Sequence, residues 1–374
     1  MCSRVRRGSF VYEHEPELLD RLWFPVARAQ DVEAAPVAAT LMGENLVVAR
    51  GAEGLVVATD RCPHRGVRLS LGSVHDGEIE CAYHGWRYAT DGRCTLVPSQ
   101  PGAQPAARLQ VRPVIERFGL IWATLGEPLF EPPAIPEMAM GDGWEVGQGE
   151  PFDVACGLRS ITENFRDSSH FAFVHRRTFG DVSPLIPAYE VEREGWNLAW
   201  DLVVTFGYPA PADDDPADPE GTAGSKYRFG ETTEGDGGQL LHYRFRLPSL
   251  SYVYTEHPGG GRRMVCQVAA PLTRDATRSR AFWFVAADRA FRDAFGPIGD
   301  QVDIERVVFA EDVPIVEALD PVEAPLELEG QAHVRADRYS VAYRRLYREL
   351  LDWFAATQEG ARAGTPVTTA GRDG

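Results

Sequence analysis

Between residues 20 and 125 the chain alternates short apolar runs with glycine, aspartate and proline. NLVVAR, GLVVATD, GEIECAY, GWRYAT and RCTLVP each have the length and composition of a β-strand. Asp91-Gly92 separates the last two and is a hairpin signal. FGLIWATLG (118–126) supplies a closing strand. The stretch therefore predicts a small all-β domain over 20–126. PELLDRL (16–22) predicts a short helix with Pro16 in its first turn. GEPLFEPPAIPE (126–137) is proline-rich and predicts a linker over 127–137.

After the linker the pattern becomes α+β. LRSITENFRDSSH (158–170) predicts a helix. EREGWNLAWDLVVTFGY, SKYRFGETT, LHYRFRLP, LSYVYTE, RMVCQVAAPL and SRAFWFVAA alternate enough to predict strands. Residues 291–319 and 333–355 predict helices. In the second of these Tyr339, Tyr343, Leu346, Leu350 and Phe354 recur at three-to-four spacing. A second domain is expected over 138–357, with residues 1–19 packed against it and 358–374 a disordered tail. PAPADDDPADPEGTAGS (209–225) is expected to be a polar surface insertion.

Composition narrows the class. The 374 residues fit two or three domains. Apolar content of 44% and charged content of 25% are those of a globular protein. The 38 basic and 55 acidic residues give a net charge of −17, which disfavours nucleic acid and anionic membranes as partners. No apolar run approaches the ~20 residues of a spanning helix. The N-terminal residues lack the apolar core of a signal peptide, so a cytoplasmic location is expected. Six cysteines are too few for a disulfide framework.

Two of the six cysteines and two of the nine histidines fall into one pattern. In CPHRGVRLSLG…ECAYHGW, Cys62 and His64 form C-x-H, and Cys81 and His84 form C-x-x-H after sixteen residues. Two cysteines and two histidines at strand breaks make a four-ligand metal site. A structural zinc takes Cys₂His₂. A Rieske 2Fe–2S cluster takes two cysteines on one iron and two histidines on the other. One Cys and one His per loop, with C-x-H first, favours the cluster. So do Gly66 and Gly85, which allow close backbone approach to cluster sulfurs. Cys94 lies outside the pattern, and Trp86 and Tyr88 are expected to pack the base of the loop.

A second pattern, ENFRDSSHFAFVH, carries Asn164, Asp167, His170 and His175. The two histidines are five apart and do not share one ideal helix face. A helix ending near His170 and a turn carrying His175 would bring both to one metal. Two histidines and a carboxylate form the facial triad of non-haem Fe(II) oxygenases. The carboxylate has to come from far along the chain. VVFAEDVPIVEALDP (307–321) offers Glu311, Asp312 and Glu317, which could equally be the solvated face of a helix.

Taken together, CPHRG…LSLG…ECAYHGWRY…DGRC and ENFRDSSHFAFVH resemble the Rieske-type non-haem iron oxygenases. The resemblance covers residues 15–355. It extends to ADRYSVAYRRLYRELL (336–351), similar to the C-terminal helix of the single-subunit type, such as vanillate and dicamba O-demethylases and aminopyrrolnitrin N-oxygenase. It implies an α+β fold: an N-terminal all-β Rieske domain plus a helix-grip (START-like) catalytic domain with an antiparallel sheet and C-terminal helices. It implies a 2Fe–2S cluster on Cys62, His64, Cys81 and His84, and mononuclear Fe(II) on His170, His175 and Asp312, with Glu311 as the fallback ligand. Asp167 resembles the carboxylate that joins His170 to His84 of a neighbouring subunit in a homotrimer. Asn164 resembles a residue placed near the iron. Arg166 departs from the pattern, because many relatives have an apolar residue there.

The implied reaction uses dioxygen and electrons to hydroxylate, N-oxygenate or oxidatively demethylate a small aromatic or cyclic molecule. No G-x-G-x-x-G follows a strand, and PGGGRR (258–263) is a turn. A separate NAD(P)H-dependent flavin reductase, with or without a ferredoxin, is therefore implied. Arene cis-dihydroxylation is the alternative chemistry, and a START-like ligand-binding protein with structural zinc is the alternative class. Alternation along the strands places about half of Phe206, Tyr208, Tyr243, Phe245, Tyr252, Tyr254, Phe282, Trp283 and Phe284 towards pocket and core.

Overall fold

In the computed structural model, which describes residues 12–139, 143–205, 238–257 and 261–362, the apolar runs before residue 126 form strands as their alternation requires. The chain divides into two units, residues 1–133 with 270–276 and residues 134–269 with 277–374. Within the first unit, Val37–Leu41, Glu44–Gly51, Gly54–Thr59 and Val111–Arg112 form one sheet. Ser73–His75, Glu78–Glu80, Arg87–Tyr88 and Cys94–Leu96 form a second. Phe24–Arg28, Leu120–Ala123 and Val114–Arg117 form a third. Val47, Ala49, Val56, Ala58, Ile79, Tyr88 and Leu109 close a core that also contains Cys62 and Cys81. The expected hairpin at Asp91-Gly92 joins Arg87–Tyr88 to Cys94–Leu96, with Gly92 at φ 83. The short helix is Glu15–Leu19. The start of the proline-rich segment is tied down: the Trp23 indole donates to the Phe130 carbonyl at 2.9 Å.

The second unit is built on an eight-stranded sheet. Asn197–Thr205, Gly238–Arg246, Leu250–Glu256, Arg262–Pro271 and Ser279–Ala287 lie side by side in chain order. Leu158–Asn164 is the helix expected over 158–170, and it stops six residues early. Residues 291–319 resolve into Arg289–Phe295 and Ile298–Val316, broken at Gly296 and Pro297. The last helix, Arg338–Arg362, lays Tyr339 and Tyr343 on the sheet. Trp200 stacks between Tyr243 and Tyr339 at 5.1 and 4.4 Å. Large aromatic areas buried this way are the main hydrophobic contribution of such a helix. Five of the cysteines are free and buried. Phe206, Tyr208, the SKYRFGETT strand, the acidic insertion and residues 363–374 lie outside the described residues.

Candidate metal centres

The two cysteine loops of the first unit close by the same hydrogen bonds. In one, Gly66 N–H donates to the Cys62 carbonyl at 2.8 Å, and Cys62 N–H to the Val67 carbonyl at 2.8 Å. In the other, Gly85 N–H donates to the Cys81 carbonyl at 3.0 Å, and Cys81 N–H to the Trp86 carbonyl at 2.9 Å. Each glycine lies four residues after its cysteine, at φ 78 and 64, where a side chain would strain the turn. The loops thus turn both thiols inward, at 1% and 2% exposure, and leave the imidazoles towards solvent. His64 and His84 sit 4.6 Å apart, ring centre to ring centre. Trp86 stacks flat on His64 at 4.3 Å and fixes its plane.

Two features fit a cluster with cysteines inside and histidines outside. Buried His64 Nδ1 has no hydrogen-bond partner, leaving a ring nitrogen free to bind metal. The Tyr88 hydroxyl lies 3.2 Å from Cys62 Sγ, both fully buried. Tyr88 therefore does more than pack the loop: it supplies a donor to a sulfur that would carry negative charge as a ligand.

In the second unit the helix break after Asn164 answers the five-residue spacing of the histidines. His170 precedes a one-turn helix, Phe171–Val174, and His175 ends it. Their Nε2 atoms meet at 3.1 Å. Asp312, on the buried face of Ile298–Val316, brings Oδ1 to 3.5 Å from His170 Nε2 and 3.4 Å from His175 Nε2. Three ligands on one octahedral face, with bonds of about 2.1 Å, stand about 3 Å apart. The donor set and its spacing fit a divalent iron. Among the described residues this is the one cluster of three metal-ligating side chains found.

The neighbouring groups orient the triad. His170 Nδ1 is 3.1 Å from Asp167 Oδ2, and His175 Nδ1 is 2.8 Å from Glu311 Oε2. A carboxylate on each Nδ1 directs each Nε2 inward. Glu311 also accepts from the Thr178 hydroxyl at 2.8 Å. Asn164 Nδ2 reaches Asp312 Oδ1 at 3.4 Å. Burial would lower the His175 pKa, but Asp312 and Glu311 outweigh it and hold it up to about 9 in the metal-free protein. Metal binding must therefore displace a proton there. Burial would raise the Asp167 carboxyl, but its bonds to His170 and Ser169 N–H hold it below the usual range. Its side chain stays 36% exposed, leaving room for a further partner.

The triad opens on a cavity with about 670 Å³ of empty space, part of it continuous with solvent. Leu241, Val253, Val265, Val308 and Phe309 make its apolar walls. Of the aromatic residues named from the strands, Tyr243 alone among those described lines it; Phe282, Trp283 and Phe284 are buried in the core. Sequence reasoning missed Thr255, Arg263, Gln267 and Glu305, all buried cavity residues. The signal was present in the two-residue repeat that puts 251, 253 and 255 on one face with 263, 265 and 267.

Comparisons with known proteins agree with this arrangement. Residues 22–112 match the model of the Rieske [2Fe-2S] domain, and residues 154–352 match the vanillate O-demethylase oxygenase C-terminal domain. Methylxanthine N1-demethylase NdmA of Pseudomonas putida is 29% identical over 368 residues, covering 94% of each chain. Its solved structure superposes with a TM-score of 0.69 at 26% identity, covering 94% of this chain and 95% of that one. Dicamba monooxygenase shares the fold, with a TM-score of 0.71 at 21% identity, over 90% of this chain and 99% of that one.

Proposed function

Since the chain belongs to the Rieske oxygenases with a vanillate O-demethylase-type catalytic domain, we propose that Cys62, His64, Cys81 and His84 hold the cluster. On the same reading His170, His175 and Asp312 hold the mononuclear iron. The family uses a Rieske cluster and mononuclear iron to oxidise small molecules by hydroxylation, N-oxygenation or demethylation. The convergence of three ligand atoms at 3.1–3.5 Å on a cavity wall carries the assignment. Iron held by three protein ligands on one face keeps open positions for dioxygen, and the cluster supplies electrons singly.

The protein's own residues set up the rest. Asp167 and Glu311 hold the two imidazoles in the tautomer that faces inward. Asn164 steadies Asp312. The apolar walls exclude water and seat a cyclic or aromatic body. Asp167, with its exposed side, joins His170 to His84 of a neighbour in a homotrimer, so that one subunit's cluster serves the next subunit's iron. Residues 20–126 form the cluster domain and 138–357 the iron domain. Electrons come from a separate NAD(P)H-dependent flavin reductase, directly or through a ferredoxin. The reaction takes place in the cytoplasm; among the described residues no helix is long and apolar enough to cross a membrane.

The test begins with purified holoenzyme reduced without oxygen. Oxygen is then admitted with and without candidate substrates, while cluster absorbance and low-temperature EPR are followed. A Rieske spectrum whose reoxidation accelerates with one compound supports the reading and identifies the substrate type. Absence of a Rieske spectrum in iron-loaded protein overturns it.

A further inference from the structure

The cavity holds a buried cation, Arg166, that touches no carboxylate among the described residues. Its floor is one face of two adjacent strands, where Val253 pairs with Val265 and Thr255 with Arg263, and Gln267, opposite Ser251 in the register, lines the far end. The face is thus polar, apolar and polar over about 13 Å of strand. At the Thr255 end the charge is balanced, since Arg263 Nη2 lies 2.5 Å from Glu305 Oε1. At the Gln267 end Arg166 enters from the segment between Leu158–Asn164 and the first histidine. It donates to the Ser251 carbonyl at 2.8 Å, to Gln267 Oε1 at 2.7 Å and to the Phe165 carbonyl at 2.5 Å.

All three acceptors are neutral. Among the described residues no carboxylate forms an ion pair or hydrogen bond with Arg166: the Glu305 charge acts on it only at longer range, its contact being with Arg263, and the buried Arg166 Nε has no hydrogen-bond partner. A guanidinium has five N–H donors, so three bonds leave two unused. Burial pushes its pKa down to about 10, which still leaves it charged at neutral pH. A charge buried in this way is costly until a counter-charge reaches it. The bond to Gln267 also orients that amide: its oxygen faces Arg166, which turns its NH₂ donors to the other side. Donors therefore dominate this end of the cavity, whereas the opposite end is already neutralised.

We propose that Arg166, with Gln267, is the anion-recognition element of the cavity, and that the substrate is a small carboxylate. Its charged group sits at the Arg166 end and its apolar body lies over Val253 and Val265. The proposal rests on the oxygenase reading for the placement of the reacting carbon beside His170, His175 and Asp312. Arg166 is a specificity-determining residue, distinct from the metal-holding set. Were it only a structural tie between the 158–170 segment and the sheet, ligand charge would not matter.

The test is equilibrium binding to the oxidised holoenzyme by calorimetry, without reductant. Acid and amide of equal shape are compared: 4-methoxybenzoate with 4-methoxybenzamide, and cyclohexanecarboxylate with cyclohexanecarboxamide. The acids are expected to bind at least about tenfold more tightly than the amides, as a charge-assisted contact in a dry site requires. Arg166→Met is expected to erase the preference with iron content and cluster spectrum unchanged, and Arg166→Lys to retain part of it. If Arg166→Met does not fold, Gln267→Leu, expected to narrow the preference, takes its place beside the wild-type ratio. Equal binding of acid and amide, failure of both acids to bind below about 10 mM, or a preference that survives Arg166→Met overturns the proposal. Iron and cluster are measured on the same samples. Their absence overturns the oxygenase reading alone, whereas a fully loaded enzyme indifferent to charge overturns the anion assignment alone.

Discussion

Removing the Tyr88 hydroxyl is expected to lower the reduction potential of the cluster without dislodging it. The hydroxyl lies 3.2 Å from Cys62 Sγ, in a core where Tyr88 is 0% and Cys62 1% exposed. No water competes for that sulfur, and the bond is worth more as the sulfur becomes more negative. Reduction adds charge to the cluster, so the donor favours the reduced state. A hydrogen bond contributes about 1 kcal/mol net in such a setting. With about 59 mV per tenfold change for one electron, that difference corresponds to a fall of about 40 mV in Tyr88→Phe. The substitution keeps the ring, and Phe has no polar atom to strand in the core, so the fold should tolerate it. A redox titration of holoenzyme followed by EPR reads the shift at fixed pH. A change under about 10 mV, or a rise, would mean that the hydroxyl does not act on a ligand sulfur. Loss of the cluster spectrum would refute the tuning role in favour of assembly.

Other substitutions separate the remaining roles. Asp312→Ala should lose mononuclear iron by metal analysis and keep the cluster; retention of both would move the ligand to Glu311. Glu311→Gln should keep iron but weaken its binding about ten- to a hundredfold, because the carboxylate 2.8 Å from His175 Nδ1 orients the ring. Asp167→Asn should keep both metals and lower turnover about a hundredfold; full activity would remove the bridging role. Cys94→Ser should leave the cluster spectrum intact, since the Cys94 thiol points to the Leu96 carbonyl at 3.7 Å. His257 gives a pH test of stability. Burial first, then the Arg263 charge, lower its pKa from 6.5 to about 4. The folded state therefore favours the neutral ring, and this contribution is complete above pH 6.5. It is lost as pH falls from 6.5 to 4, because the unfolded chain takes up the proton first, and it amounts to at most about 3 kcal/mol. His257→Gln should flatten the fall in thermal midpoint over that window; an unchanged slope would contradict it.

What could be read from the sequence depended on how locally each feature is encoded. The cluster loops were legible because each is a self-contained turn whose glycine donates to its own cysteine carbonyl. The histidine pair was only half legible. A five-residue spacing fits no single helix face, and the solution is a broken one, with Leu158–Asn164 ending early and Phe171–Val174 set between the histidines. Asp312 could be chosen over Glu311 only by resemblance, since adjacent acids on one helix look alike until a partner 137 residues away is in place. The structure then gives them different nitrogens of the same ring: Asp312 at His175 Nε2, Glu311 at Nδ1. Val37–Leu41 and Ser73–His75 were missed as strands, because runs of three to five residues with mixed polarity carry little periodic signal.

The segment from Asn164 to His175 shows why the least expected residue in it matters most for substrate. Asn164, Asp167, His170 and His175 all gather at the proposed iron site: one touches Asp312, one turns His170, and two bring their Nε2 atoms together. Arg166 sits among them, yet its bonds run the other way, to Ser251 and Gln267 on the sheet. The same turn that assembles the metal cage therefore carries a charge to the cavity floor. An apolar residue at 166 would leave the cage intact and free the Gln267 oxygen, making that end an acceptor rather than a donor surface. Selectivity for ligand charge can thus change by one residue without disturbing the oxygen chemistry. That separation predicts that Arg166→Met alters which molecules bind while the iron and cluster stay as they are.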